Sequence, residues 1–318
     1  MRLLTFLHEG RQRLGALAQD GSVIDLLRRE NTPTLASMQA LIDGGTPALE
    51  KAQRIVAEAT ETIDPLSIQW LSPLPMPPQM RDFLVFEEHM RMAGWQGAKL
   101  RETWGGPPAP PEPMPIPPIW FQQPIYYKGN RFAVTASGTI SWPSGSKVID
   151  YELELACVIG RGGRDITAED AGAHIFGFTV FNDLTARDWQ FREMQGPLGP
   201  AKGKDFDGAN VLGPVIVTAD ELGEAPALAM RAFVNGELWS EGNSGTMHWS
   251  WSQIIEHVSR SETLHPGEIL GSGTVGGGCG LELGRFLAHD DVIALEIDGI
   301  GRIETRIDAP HVIERLVL

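Results

Sequence analysis

The sequence predicts an α+β protein that is rich in β-structure, with a small N-terminal domain followed along the chain by a large main domain. From residue 119 onward, short apolar runs alternate with turns of Gly, Asn, Asp and Pro, a pattern typical of strands. In this region only 249–259 places apolar residues at helical spacing. The chain has 318 residues and 42% hydrophobic content, enough to bury a full core. The predicted strands are 132–136, 152–159, 175–181, 213–218, 230–235 and 291–297.

The small N-terminal domain is predicted to cover residues 1–71. Apolar residues alternate at its start, a turn is indicated at Asp20-Gly21, and a second strand pattern follows. Segment 72–80 is too rich in proline for a helix or a central strand, so we interpret it as a linker. The main domain then covers 81–318.

Two helices should follow the strands of the N-terminal domain. The first is expected over 35–43, with Thr34 as its N-cap. Thr46 should cap the second helix, which has Pro47 in its first turn.

A proline-rich stretch, 107–118, interrupts the main domain early. We favour an extended surface loop for this stretch. Together with 87–106 it could also form a mobile cover over a site, so the expected lid is 87–118.

Composition excludes several classes of partner. A formal charge of −15 argues against nucleic acids and anionic membranes, because phosphate binding needs clustered Lys and Arg. The two cysteines, Cys157 and Cys279, suit a reducing cytosol and provide no disulfide framework. The apolar run at the start is too short for a signal peptide, and no stretch has the length of a membrane span. We therefore expect a soluble cytoplasmic protein.

Two glutamates stand two residues apart in the apolar run 150–160. Side chains at i and i+2 of a strand point to the same face, so Glu152 and Glu154 should lie roughly 7 Å apart. Such carboxylates repel each other unless a cation or water neutralises them. Asp183, at the end of the next apolar run, is a third candidate carboxylate. A lone pair of this kind is most often a solvated strand face, so the neighbouring segments decide its interpretation.

Other segments add candidate functional side chains. Arg187, which can bind an anion in a bidentate way, and Gln190, a neutral donor, follow the third carboxylate. Asp82 and His89 stand at the two ends of another apolar run. Lys204 lies between glycines, where the backbone could approach a ligand closely.

The glycine-dense segment 270–283 ends in Glu282. A glycine-rich loop can hold phosphate, but here no GK[ST] follows and no helix pattern opens after it. The nucleotide-loop interpretation therefore has little weight. HExxH, CxxC and GxSxG motifs are absent from the sequence, so zinc-protease, redox and serine-hydrolase interpretations are not supported.

Taken together, these segments resemble the fumarylacetoacetate hydrolase family, from about Asp82 to the C-terminus. The family signature is a Glu-x-Glu strand, an Asn-Asp-x-Ser/Thr-Ala-Arg-Asp segment and a Gly-Lys-x-Phe segment. All three occur here in order, as Glu152/Glu154, 182–188 and 203–206. The N-terminal opening is similar to the small first domain of the family. The resemblance implies a main domain with the family's mixed β-sandwich/roll fold.

The longer, two-domain members of the family provide further matches. They place an Asp seven residues before a catalytic His, and Asp82 and His89 have that spacing. Tyr127 matches a family tyrosine, and Thr274 matches the Thr of a late Ser-Gly-Thr.

Three departures lie near the expected substrate pocket. Lys128 and Asn130 replace the His and Arg that follow the family tyrosine, and one residue is added between Asp183 and Lys204. The proline stretch is also unusual. The resemblance therefore leaves the substrate open.

The resemblance also implies roles for the candidate residues. A divalent cation (Mg²⁺, Mn²⁺ or Ca²⁺) would be held by oxygen ligands alone, as hard cations prefer. The implied metal ligands are Asp82, Glu152, Glu154 and Asp183. The implied catalytic residues are His89, Glu282, Lys204, Arg187 and Gln190, and the implied substrate-binding residues are Tyr127 and Thr274.

The partner that orients His89 is left open at this stage. Long family members use the residue that matches Glu282. Short members draw the partner from the lid, where Glu87, Glu88 and Glu102 are available.

The implied activity is metal-dependent hydrolysis of a C–C bond in acylpyruvate-like or β-diketo acid substrates, in aromatic or related catabolism. One alternative is a 2-oxo acid decarboxylase or enol–keto isomerase, which needs only enolate stabilisation. Another is a non-catalytic protein with a structural cation site. The expected partners are a small oxo-acid substrate and a second copy of the chain in a homodimer.

Overall fold

A computed structural model describes residues 1–196 and 198–318 of the protein. Within these residues the chain forms two large β-sheets and eight α-helices. The helices are α1 (Leu26–Arg29), α2 (Met38–Asp43), α3 (Gly45–Ala57), α4 (Glu87–Thr103), α5 (Arg187–Glu193), α6 (Ala219–Leu222), α7 (Trp251–Ser259) and α8 (Gly280–Leu283). Short 3-10 turns cover Pro33–Leu35, Pro65–Ser67, Pro118–Phe121, Arg131–Ala133, Ala171–His174 and Ser244–Thr246. No helix in the described ranges is long and apolar enough to cross a membrane.

The larger sheet has eleven strands among the described residues. They are β1 (Arg2–His8), β2 (Arg11–Leu17), β3 (Val23–Asp25), β4 (Gln69–Trp70), β5 (Met80–Phe83), β6 (Tyr126–Lys128), β7 (Val134–Thr135), β10 (Leu153–Ile159), β12 (Ile175–Asp183), β14 (Asn210–Thr218) and β18 (Ile269–Gly271). Their order is β3-β2-β1-β14-β12-β10-β18-β5-β6, with β4 beside β1 and β7 beside β14. The neighbours β5 and β18 are parallel.

The smaller sheet has five strands in the same part of the chain, in the order β16-β15-β19-β20-β8. They are β8 (Gly138–Ser141), β15 (Ala229–Val234), β16 (Glu237–Asn243), β19 (Val292–Ile297) and β20 (Gly301–Asp308). Two short pairs complete the strands: β9 (Ile149–Asp150) with β13 (Thr185–Ala186), and β11 (Gly163–Arg164) with β17 (Thr263–Leu264).

The main core lies between the two large sheets. It joins residues such as Leu155 and Val180 of the larger sheet to Leu295 and Ile303 of the smaller one, all of them buried. A second core covers the opposite face of the larger sheet, where residues of α2 and α3 pack over β1, β10 and β14. Side chains on alternate faces of β10 therefore enter different cores, as strand geometry requires.

The N-terminal segment is continuous with the larger sheet, because Arg2 and Leu3 pair with Val217 and Ile216 of β14. Both predicted helices are present, but their predicted caps are wrong. Ser37 caps α2, since its hydroxyl accepts from the Ala40 amide, and among the described residues no side chain caps α3. Whether 1–71 form a separate domain with 72–80 as linker stays a prediction.

Most strands predicted for the main domain are present, with bounds shifted by a few residues. The exception is 132–136, because a 3-10 turn occupies its first half and only β7 is a strand. The helix predicted over 249–259 is α7, capped by Ser250.

Helix α4 is an addition to the predicted elements, because the sequence assigns 87–106 only to the expected lid 87–118 and predicts no helix there. It runs for 17 residues, Glu87–Thr103. Gly97 allows it to pack on α5, since a Cβ there would lie 2.5 Å from the Phe191 ring. Leu100 of the same helix is fully buried. A helical signal was present in the 3–4 residue spacing of Met90, Ala93, Gly97 and Leu100, but two of these side chains are too small to look apolar.

Candidate active site

Four predicted metal-ligand carboxylates meet on one face of the larger sheet. Asp82 lies on β5, Glu154 on β10, and Asp183 at the end of β12, while Glu152 immediately precedes β10. One oxygen of each lies within 4.8 Å of those of the other three, and all four side chains are buried. The strand order places these carboxylates side by side.

Gly271 allows carboxylates from β10 and β5 to meet across the intervening strand β18. It pairs with Asp82 on one side and with Ala156 on the other. A Cβ at this position would collide with the Asp82 carboxylate and lie 3.1 Å from Glu154 Oε2. The next glycine, Gly273, donates its amide to Asp82 Oδ1 at 3.1 Å and to Glu154 Oε2 at 3.2 Å. Neither glycine was a predicted site residue, although both lie in the glycine-dense segment.

Lys204 is a buried cation that contacts two of these carboxylates. Its Nζ donates to Glu152 Oε2 at 2.6 Å and to Thr185 Oγ1 at 2.9 Å, and it also contacts Asp183. Tyr127, which faces Asp82 across the β5–β6 pair, donates its hydroxyl to Asp183 Oδ2 at 2.6 Å. Burial opposes the charge of Lys204, but the adjacent carboxylates outweigh it and raise the pKa of the ammonium.

The electrostatics of the cluster fit an additional cation. Burial raises the pKa of Asp82 to about 6 and that of Asp183 to about 8, although Lys204 opposes both shifts. Burial, together with the neighbouring carboxylates, raises the pKa of Glu154 well above its usual range. Within the described residues, Asp183 Oδ1 is buried without a hydrogen-bond partner. The donor set is all oxygen, which matches Mg²⁺, Mn²⁺ or Ca²⁺, so the residues present fit the predicted ion.

His89 and Glu282 form a buried pair beside this cluster. His89 lies in the first turn of α4, and its Nδ1 is 2.8 Å from Glu282 Oε2 of α8. Burial favours neutral His89, but Glu282 outweighs this effect and raises the pKa of the imidazole. The Glu282 carboxylate also accepts from the Gly277 amide at 2.9 Å and from Cys279 Sγ at 3.4 Å.

The lid residues Glu87, Glu88 and Glu102 are exposed, whereas His89 is buried against Glu282. Glu88 pairs with Arg91, and Glu102 accepts from the Ala109 amide at 2.9 Å. Among the partners left open by the sequence, the geometry therefore selects Glu282. Its catalytic role stays a prediction.

Arg187 and Gln190 lie on one face of α5, next to Glu152. Arg187 Nη2 donates to Glu152 Oε1 at 2.7 Å, and Nη1 donates to Gln190 Oε1 at 3.0 Å. Arg187 Nε donates to Asp150 Oδ2 at 2.7 Å. Burial alone would raise the pKa of Glu152, but Lys204 and Arg187 lower it instead. Asp150 was not a predicted site residue; its only sequence signal is its place two residues before the glutamate pair.

A cavity of about 890 Å³ opens onto these groups. Nine predicted site residues line it: Asp82, His89, Tyr127, Glu152, Glu154, Arg187, Gln190, Lys204 and Thr274. Asp183 and Glu282 lie behind them, in contact with Tyr127 and His89. Thr274 Oγ1 is 3.4 Å from Glu154 Oε1. Apolar side chains also line the cavity, among them Met90, Ala93, Ile125, Phe191, Met194 and Leu281.

Residues 84–308 match the model of the fumarylacetoacetate (FAA) hydrolase C-terminal domain. The chain belongs to the fumarylacetoacetate hydrolase family. It is therefore an enzyme of this superfamily, as the signature segments predicted, and the predicted family fold is confirmed.

Two curated relatives of this family member are named as oxaloacetate tautomerases. The mitochondrial protein fahd2 of Xenopus laevis is 31% identical over 298 residues, which are 92% of this chain and 84% of that protein. YisK of Bacillus subtilis is 38% identical over 189 residues, covering 58% of this chain but only 62% of the relative. These names favour the isomerase alternative over the hydrolase interpretation.

A solved structure supports the fold over nearly the whole chain. Fumarylacetoacetate hydrolase from psychrophilic Exiguobacterium antarcticum is 26% identical, with a TM-score of 0.74, and the match covers 97% of this chain and 99% of that one. The predicted homodimer, cytoplasmic location and role in aromatic catabolism stay predictions.

Proposed function

We propose that this family member is a metal-dependent keto–enol tautomerase of oxaloacetate or a closely similar 2-oxo dicarboxylic acid. The observation that carries the proposal is the similarity, over most of both chains, to fahd2 of Xenopus laevis, named as an oxaloacetate tautomerase. The juxtaposition of a carboxylate cluster and a histidine–glutamate pair in one cavity supports the same chemistry.

The four clustered carboxylates would hold the cation. When bound, a divalent ion supplies charge that stabilises the enolate of a 2-oxo acid. The other groups act on the substrate directly or fix the groups that do.

His89 is the proton carrier of the proposed reaction. In the enol-to-keto direction, a proton leaves the C2 hydroxyl, the C2–O bond becomes a carbonyl, and the electron pair of the C2=C3 bond takes a proton at C3. Because Glu282 binds Nδ1, the Nε2 atom of His89 is the ring nitrogen left to accept the C2 hydroxyl proton and to donate a proton to C3.

Gln190, Arg187 and Lys204 stabilise negative charge on the substrate. Arg187 binds the Gln190 carbonyl oxygen, which leaves the amide NH₂ group as the donor toward the cavity. Donors that are held in place before the charge develops stabilise it at little reorganisation cost. Tyr127 and Thr274 line the same cavity and contact the carboxylates, so they would orient the substrate oxygens.

The test follows the enol form of oxaloacetate by ultraviolet absorbance, with Mg²⁺ or Mn²⁺ present. The proposal expects wild-type protein to accelerate ketonisation beyond the metal-only rate and to lose that effect with a chelator. Glu152→Gln should lose it too, since this change removes one carboxylate charge of the cluster. No acceleration by the metal-loaded wild type would contradict the proposal.

C–C bond hydrolysis is the second candidate function. The His89–Glu282 pair also suits activation of a water molecule, and the Exiguobacterium antarcticum protein with the same fold is named as a hydrolase. Release of pyruvate from an acylpyruvate, without ketonisation of oxaloacetate, would favour this function. Release of CO₂ from oxaloacetate would instead indicate the decarboxylase alternative.

A further inference from the structure

Asp150 is a fully buried carboxylate that lies outside the substrate cavity. It stands on β9, paired with Thr185 of β13, just before α5 begins. Its Oδ2 accepts from Arg187 Nε at 2.7 Å and from the Leu281 amide at 2.9 Å. Its Oδ1 accepts from the Gly280 amide at 2.7 Å. One side chain thus binds two elements that are far apart in sequence.

Those two elements carry the two halves of the candidate site. Arg187, on α5, contacts Glu152 and Gln190. Helix α8 carries Glu282, which binds His89 Nδ1. Asp150 therefore binds the Arg187 guanidinium directly. It also binds the first amides of the helix that carries Glu282, the partner of His89.

Helix α8 has little stability of its own. It has only four residues, Gly280–Leu283, and Gly277 and Gly284 on either side adopt positive φ values of 71° and 67°. A single helical turn is unfavourable in isolation, and its first amides need acceptors from outside the helix. Asp150 provides acceptors for two of these amides.

We propose that Asp150 is a positioning residue for catalysis. It fixes the position of Arg187 relative to helix α8, which carries Glu282. This inference rests on the proposed function, because its test uses the tautomerase reaction. Misplacing a catalytic group by about 1 Å can lower an enzymatic rate about 100-fold. A residue that fixes the distance between the two halves of the site can therefore affect turnover without touching the substrate.

The chain contains a matched control for loss of a buried carboxylate. Asp291 is 5% exposed and accepts from Arg315 Nε at 2.9 Å and from the Ala288 amide at 2.9 Å. It therefore has the same kinds of partner as Asp150. Asp291 does not line the cavity.

The experiment compares Asp150→Asn with Asp291→Asn in the full-length, metal-loaded protein. Asn keeps the shape but removes the charge and one acceptor. We expect Asp150→Asn to lower kcat for oxaloacetate ketonisation by about 10- to 100-fold, the range for residues that support catalytic groups, with KM changed less than about threefold. Asp291→Asn should lower the melting temperature without lowering kcat. Equal kcat losses in the two variants, or wild-type kcat in Asp150→Asn, would overturn the inference.

Asp150→Glu provides a second readout if Asp150→Asn does not fold. It keeps the charge but lengthens the side chain by one methylene, which displaces the carboxylate, so kcat should be lower than in wild type. Full activity of Asp150→Glu would contradict a positioning role. An inactive wild type would contradict the proposed function instead, so the two failures are distinguishable.

Discussion

At the residue scale, the candidate site consists of opposite charges that are buried together. Glu152 contacts both Lys204 and Arg187, and Asp183 contacts Lys204 and Tyr127. Removing one member of a buried ion pair leaves the charge of the other member uncompensated and lowers the free energy of unfolding by about 3–5 kcal/mol. Single substitutions here therefore change both stability and activity, and their tests need a stability control.

The histidine gives the clearest single-residue prediction. His89→Asn should lower kcat for ketonisation by about 10²–10⁴-fold, the usual effect of losing a general acid or base. Mn²⁺ affinity, measured by calorimetry, should stay within about threefold of wild type, because His89 is outside the carboxylate cluster. His8→Asn, on β1, is the matched control and should leave kcat unchanged. A large loss of Mn²⁺ binding in His89→Asn would contradict these separate roles.

The His89–Glu282 pair also sets a pH dependence. Glu282 raises the pKa of His89 in the folded protein, so the imidazole becomes neutral only above its ordinary value of about 6.5. Activity that needs neutral His89 should therefore rise with pH through that raised pKa. In Glu282→Gln the raising charge is gone, and the acidic limb of kcat/KM against pH should move to lower pH. An unchanged limb would show that another group titrates there.

At the element scale, the site depends on Gly271 at the end of β18, which leaves room for the carboxylates of the two neighbouring strands. Gly271→Ala should weaken Mn²⁺ binding by about 10- to 100-fold, since the new methyl group collides with Asp82. Gly129→Ala is a suitable control, because a Cβ there meets only Met80 at an ordinary 3.5 Å. Normal Mn²⁺ affinity in Gly271→Ala would mean that the carboxylates can separate without loss.

The lid is the second element with a testable property. Residues 87–118 combine α4, which carries His89, with a proline-rich stretch that has no helix or strand from 106 to 117. We expect hydrogen exchange in 87–118 to slow when oxalate binds with Mg²⁺, because one wall of the cavity belongs to α4. Equal exchange with and without oxalate would argue against a lid. Segment 229–243, on the smaller sheet, is an internal reference.

Sequence patterns predicted the strands of the main domain because their apolar runs are long and bounded by turn residues. They also predicted the carboxylates and His89, because the family signature spaces them regularly. Asp150 and Gly271 could not be found in this way. Their importance comes from contacts that the fold creates: Asp150 accepts from the Gly280 amide 130 positions away, and Gly271 lies against Asp82 and Glu154, which no local pattern reports. Helix α4 was missed for a different reason, since its buried face uses glycine and alanine.

At the scale of the whole molecule, one continuous sheet joins the N-terminal strands to the candidate site. Strands β1 to β3 extend from β14, which pairs with β12, the strand that ends in Asp183. The helices α2 and α3 cover the face opposite the main core. The site therefore stands on a strand framework that is packed on both faces, which suits catalytic groups that need fixed positions.

The most direct measurement is ketonisation of enol-oxaloacetate in D₂O, followed by NMR with Mg²⁺ and substoichiometric protein. Proton transfer by a positioned group predicts fast formation of keto-oxaloacetate with deuterium added to one face of C3, at a rate proportional to protein concentration. Glu154→Gln and His89→Asn should both return the rate to that of Mg²⁺ alone. Deuterium added equally to both faces at the metal-only rate, by metal-loaded wild-type protein, would contradict the account.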